Sequence, residues 1–151
     1  MCLENIQKIK TEEDIIVYKL LERRHVGYGE LVSPFYYFPW EIGKVYEMGS
    51  DEPDFFYEKI DEGYFPIEVH GHSFHTFKNL EDAQKQLKIH RDRWTGLTYV
   101  AKCRIPKNSR FIFEGLYPGA QTFADAYSHT KQKRYEGYAS EKLEILEILP
   151  Y

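Results

Sequence analysis

The stretch Glu68 to Phe77, EVHGHSFHTF, holds three histidines and two phenylalanines. Imidazoles packed this closely could ligate a metal, move a proton or line a ligand pocket. On an extended chain, residues two apart share a face. His70, His72 and Phe74 then lie together, with His75 and Phe77 opposite, unless Gly71 introduces a bulge that changes the register. Two strand histidines at i,i+2 are a workable zinc pair. A structural zinc site needs two more ligands, and a catalytic one needs at least one more plus an open position. Cys103 and His90 could serve by residue type, but nothing in their spacing points to it. The reading preferred for the stretch is a set of polar residues that line a ligand pocket or hydrogen-bond within a sheet, with no metal.

Other residues could also do chemistry. Cys2, directly after Met1, would become an N-terminal nucleophile only on removal of that methionine. There is no Walker loop, no dinucleotide glycine fingerprint and no Gly-x-Ser-x-Gly elbow. Four pieces combine better: Lys19 on an early strand; Ser33, Tyr36 and Trp40 in the proline-broken SPFYYFPW; His72 and His75; and Lys102 with Arg104 on one face of an alternating strand. Cations, hydroxyls and flat rings suit a ligand bearing a phosphate and a base. The expectation is a ligand-binding site made of these eight residues, with no catalytic residue, metal or cofactor. Trp40 would serve equally well as core.

The elements that must position these residues are legible in outline. Residues 1–13 read as an arm or a short N-terminal segment. DIIVYKLLE is β-rich and reads as the first strand. Pro34 and Pro39 confine any strand in LVSPFYYFPWEIG to a short or edge position. KVYEM, FFYEKI, YFPIEV and SFHTF read as extended, with an acidic loop over 49–63. NLEDAQKQLKIHRDRW is the one clear helix, expected at about residues 79–91. Asn79 stands at its N-cap, Glu81 and Asp82 lie in the first turn, and Leu80, Ala83 and Leu87 share one face. LTYVAKCRIP alternates Tyr99, Ala101, Cys103 and Ile105 against Val100, Lys102 and Arg104. RFIFEG should be its hairpin partner. Residues 116–136 read as a long loop with a helical turn, and YASEKLEILEIL as the last strand. The sum is an α+β fold: a twisted, mostly antiparallel sheet with one main helix packed on it, in a single domain spanning 1–151.

Composition narrows the functional classes. A charged fraction of 29% and a hydrophobic fraction of 42% in 151 residues fit a packed domain. No apolar run is long enough for a membrane span. Two cysteines make no disulfide framework, and the polar N-terminus is not a secretory signal, so a cytoplasmic setting is expected. A net charge of −4 disfavours a nucleic-acid polymer as partner. Charge is nonetheless uneven: residues 78–110 hold nine Lys/Arg against three Asp/Glu, a basic segment that could draw a small anion. Aromatic residues make up 17% of the chain, as befits a ring-lined pocket or core. A homo-oligomer is compatible with all of this.

The segments VYKLL, SPFY, WEIGKVYE, HSFHTFKNLEDAQ, VAKCRIPKNSRF and GYASEKLEI, together with the MCL start, carry a resemblance. In them the chain resembles a group of small proteins from Bacteroides-type gut bacteria and their phages. None of these segments is a catalytic signature. The resemblance implies a shared fold and a phage or mobile-element setting, in which a non-enzymatic protein could sequester an immune signalling nucleotide. A different likeness is to ADP-ribosyltransferase-type enzymes, which act on NAD. These use a late glutamate, here Glu141, Glu144 or Glu147, and an early-strand Arg or His, where this chain has Lys19. The Ser-Thr-Ser step of those enzymes is missing. A third reading is an inhibitor that works by protein contact through its aromatic surface.

Overall fold

A computed structural model describes residues 3–23, 31–32, 38–90, 97–119 and 133–150. It is mostly antiparallel sheet with one helix. The strands are β1 (Leu3–Lys8), β2 (Ile15–Arg23), β3 (Leu31–Val32), β4 (Pro39–Trp40), β5 (Val45–Glu47), β6 (Asp54–Ile60), β7 (Gly63–Gly71), β8 (Phe74–Phe77), β9 (Leu97–Ile105), β10 (Ile112–Gly119), β11 (Lys133–Ser140) and β12 (Lys142–Ile148). The helix α1 (Leu80–His90) lies between β8 and β9.

All twelve strands belong to one sheet, ordered β5-β12-β9-β2-β8-β11-β10-β1-β7-β6, with β3 and β4 attached beside β2. The two ends of that order, β5 and β6, are joined only by residues 48–53. Seven Cα steps reach at most about 27 Å, whereas ten strands laid flat would put their outer members about 43 Å apart. The sheet must therefore roll until its edges approach each other. The joining loop runs over the turns at one end of the roll. Met48 donates its amide to the Glu141 carbonyl, and Arg110 pairs with Asp51. Glu141 itself is fully buried there, with one carboxylate oxygen accepting the Arg110 amide.

Rolling gives the sheet a core on both faces. Val17, Leu21, Trp40, Phe74, Ala101, Cys103, Ile105, Tyr138, Leu143 and Ile145 form one cluster. Leu20, Phe77, Val100 and Tyr135 look the other way and meet Ala83 and Leu87 of α1. The helix thus buries the face that its apolar spacing specifies. Asn79 precedes it as expected, although its side-chain amide donates to Asp82 and Glu136.

Three expectations need correction. Residues 3–8 are not an arm but strand β1, paired with both β10 and β7. RFIFEG is not the hairpin partner of LTYVAKCRIP: β9 lies between β12 and β2, and β10 between β11 and β1. The connection over 106–111 instead crosses the end of the roll. Residues 116–119 and 133–136 are not loop but paired strand, in the β10–β11 ladder running from Ile112↔Ser140 to Gly119↔Lys133. Residues 120–132 lie outside the described residues.

Candidate functional site

The three histidines go three separate ways. His70 stacks on Phe56 with ring centroids 4.5 Å apart. His72 has a left-handed backbone (φ 48°) and turns outward, its Nδ1 2.5 Å from Asp54 Oδ2. His75, on β8, is half-buried. Its Nδ1 lies 3.1 Å from the Tyr117 hydroxyl and its Nε2 3.0 Å from Ser73 Oγ. Tyr117 spends its one hydrogen on the Tyr138 carbonyl at 2.6 Å. His75 then donates through Nδ1, and in the neutral ring Nε2 accepts from Ser73. Burial, with the Lys19 charge adding to it, pushes the His75 pKa down to about 3. Among the described residues no group of three or more His, Cys, Asp and Glu side chains is placed to hold a metal ion.

Lys19 occupies a gap in the ladder. Strand β2 pairs with β9 from Ile15↔Ile105 to Arg23↔Leu97 but meets β8 at the single register pair Tyr18↔Phe77. Where β2 and β8 part, the His75 carbonyl loses a strand partner, and Lys19 Nζ donates to it at 2.9 Å. The same ammonium stands 5.8 Å from the centroid of the Trp40 ring. Burial lowers the Lys19 pKa to about 8, with Cys103 acting weakly in the opposite direction. No carboxylate forms an ion pair with Lys19 among the described residues. Cys103 is no nucleophile: burial raises its thiol to about 12, so the thiolate is not populated near neutrality.

The expected site comes together only in part. Lys19, Trp40 and the His75 backbone converge; Ser33 and Tyr36 lie outside the described residues. Lys102 and Arg104 do not join them. Lys19 pairs with Ala101, so it points to the face opposite Lys102 and Arg104. Arg104 also meets a carboxylate of β12. Arg104 is bonded to Glu144 and to Asp14, and Lys102 stands across from Glu147. The same geometry separates Lys19 from Glu144 and Glu147, so neither of these two glutamates shares its face.

Trp40 is core: it is 5% exposed and packs edge-on against Tyr46 and Phe74 and at a tilt against Phe38. Its fluorescence in a Trp94→Phe variant should be blue-shifted and poorly quenched by iodide. Emission near that of free tryptophan would show the ring open to solvent. Sequence reasoning overlooked an apolar groove of about 250 Å³ between α1, β9 and the C-terminal residues, lined by Leu87, Tyr99, Val100 and Leu149. None of the residues chosen for chemistry lines it. It also overlooked Tyr117, whose burial raises its pKa well above the usual value. The EGLYPG context around Tyr117 carries no signal for that role. Comparison with family models, with curated proteins and with solved structures returns no match.

Proposed function

We propose that this chain is a non-enzymatic protein that binds a small anionic, nucleotide-like ligand, with Lys19 as the anchoring cation. Sequestration of an immune signalling nucleotide is the role we propose for it, in keeping with the phage-type setting that the sequence resemblance implies. The observation that carries the reading is the Lys19 ammonium, half-buried, bonded to one carbonyl and lacking a carboxylate partner among the described residues. A cation in such a place attracts an anion more strongly than one in open water, because the surrounding dielectric is lower. Arg104 is a poorer anchor, since Asp14 and Glu144 already balance it. Trp40 contributes a wall behind Lys19 and not a stacking platform, because its ring is covered.

Small molecules released by heat from the purified protein and read by mass spectrometry give the first test; a recovered intact nucleotide supports the reading. Calorimetry with nucleoside mono-, di- and cyclic phosphates gives the second. Lys19→Met should weaken the bound phosphate by about 1.5–3 kcal/mol, the usual loss for a hydrogen bond to a charged group. The variant should keep its stability or gain some, because a desolvated charge has been removed. Affinity should hold below about pH 8 and fall above it, as the free Lys19 loses its proton. Equal affinity in Lys19→Met, or an affinity flat to about pH 10, removes Lys19 from the site. Turnover of added NAD would favour the transferase reading instead.

A further inference from the structure

The hairpin of β6 and β7 exposes apolar side chains where a sheet of this kind would hide them. Phe56, Tyr57, Ile60, Tyr64 and Phe65 are each 46–68% exposed. Strand β6 ends the sheet, and among the described residues its only strand neighbour is β7. Among the described residues, one row of its backbone amides and carbonyls therefore has no ladder. Such an edge is a template for another strand. The register shifts twice within the hairpin, between Asp54 and Phe55 and between Phe56 and Tyr57. Such bulges add bend and twist to a strand pair.

We infer that the free edge of β6 docks an extended, basic and apolar segment of a partner protein, which joins the sheet as an added strand. Charge selects this occupant. The hairpin carries Asp54, Glu58, Asp61, Glu62 and Glu68 against Lys59, its single Lys or Arg. Nucleic acid and anionic lipid are repelled by that balance. A second copy of the chain is disfavoured for the same reason, since pairing β6 with itself sets two acidic hairpins side by side. Along β6, Phe56, Glu58 and Ile60 fall on one face. A partner strand that alternates lysine with branched apolar residues places a cation near Glu58 and covers Phe56 and Ile60. Backbone pairing then supplies affinity and the alternate side chains supply specificity, as in other cases of strand addition. The surface lies six places along the sheet from β2, and the inference stands apart from the ligand proposed for Lys19.

The test uses the full chain and two labelled peptides of equal length, one alternating Lys and Val, the other Glu and Val. Fluorescence anisotropy should show saturable binding of the Lys/Val peptide and none of the Glu/Val peptide. Amide exchange should slow in residues 54–60 when the Lys/Val peptide is bound. Glu58→Lys with Glu62→Lys, and separately Phe56→Ser with Ile60→Ser, should each weaken binding at least tenfold. All four residues are exposed, so the unfolding midpoint should stay unchanged and confirm that the variants fold. Equal binding of both peptides, unaltered exchange in β6, or full affinity in the substituted hairpins overturns the inference. So does a dimer in sedimentation that disappears on Phe56→Ser with Ile60→Ser, which would assign the edge to a second copy.

Discussion

Gly137→Ala lowers the stability of this protein by about 3 kcal/mol, the upper end of what overpacking a filled interior usually costs. A methyl group at position 137 would sit 2.0 Å from Tyr117 Cε2 and 2.4 Å from the Thr76 carbonyl oxygen. Neither can retreat easily. The Tyr117 ring is buried and tethered at its hydroxyl to the Tyr138 carbonyl, and Thr76 is held in the β8–β11 ladder. Glycine is required because the ring of Tyr117 crosses β11 directly above this position. The residue does not need an unusual backbone angle, since no positive φ occurs there. Gly43→Ala makes the control: its φ is +85° and nothing lies within 4 Å, so only left-handed strain is added, about 1 kcal/mol. Urea unfolding of both variants checks the contrast. Equal midpoints would mean that Tyr117 does not cover Gly137.

The second large effect is acid sensitivity centred on His75. In the unfolded chain this imidazole titrates near its ordinary 6.5, whereas burial holds it near 3 in the fold. The folded pKa is depressed, so below 6.5 the unfolded state binds the extra proton and the fold does not. Stability is complete above about pH 6.5 and declines as pH falls through the window toward 3. The limiting slope is about 1.4 kcal/mol per pH unit. Partial solvent access reduces the yield, and a loss of about 2 kcal/mol by pH 4.5 is expected. His75→Asn keeps a side-chain donor for Tyr117 but cannot titrate. It should be less stable than the parent at pH 7 and lose less on acidification. Urea titrations at several pH values measure this, and parallel curves for parent and variant would show that His75 is not held neutral.

Much of the secondary structure was legible in local pattern. The apolar spacing of Leu80, Ala83 and Leu87 located α1, and the alternation from Tyr99 to Ile105 located β9 with its two faces. Both patterns are local, because a helix or strand repeats over a few residues whatever lies beside it. Pro34 and Pro39 likewise limited their segment to short strands, of which β4 is one. The N-terminal strand was not legible, because LENIQK has no strong β pattern of its own and becomes a strand by lying between β10 and β7.

The candidate site divides along the same line. By itself the sequence determined which residues could carry charge or a proton, and that Lys102 and Arg104 share a face. Only the tertiary structure decided that Lys19 faces the other way, because that depends on the Lys19↔Ala101 register between strands far apart in the chain. It also decided that His75 is neutral while His72, three residues earlier, is exposed beside Asp54. Strand partners are chosen through space by the rolling of the whole sheet. A residue's burial, its counter-ions and hence its chemistry follow from neighbours that no local pattern names.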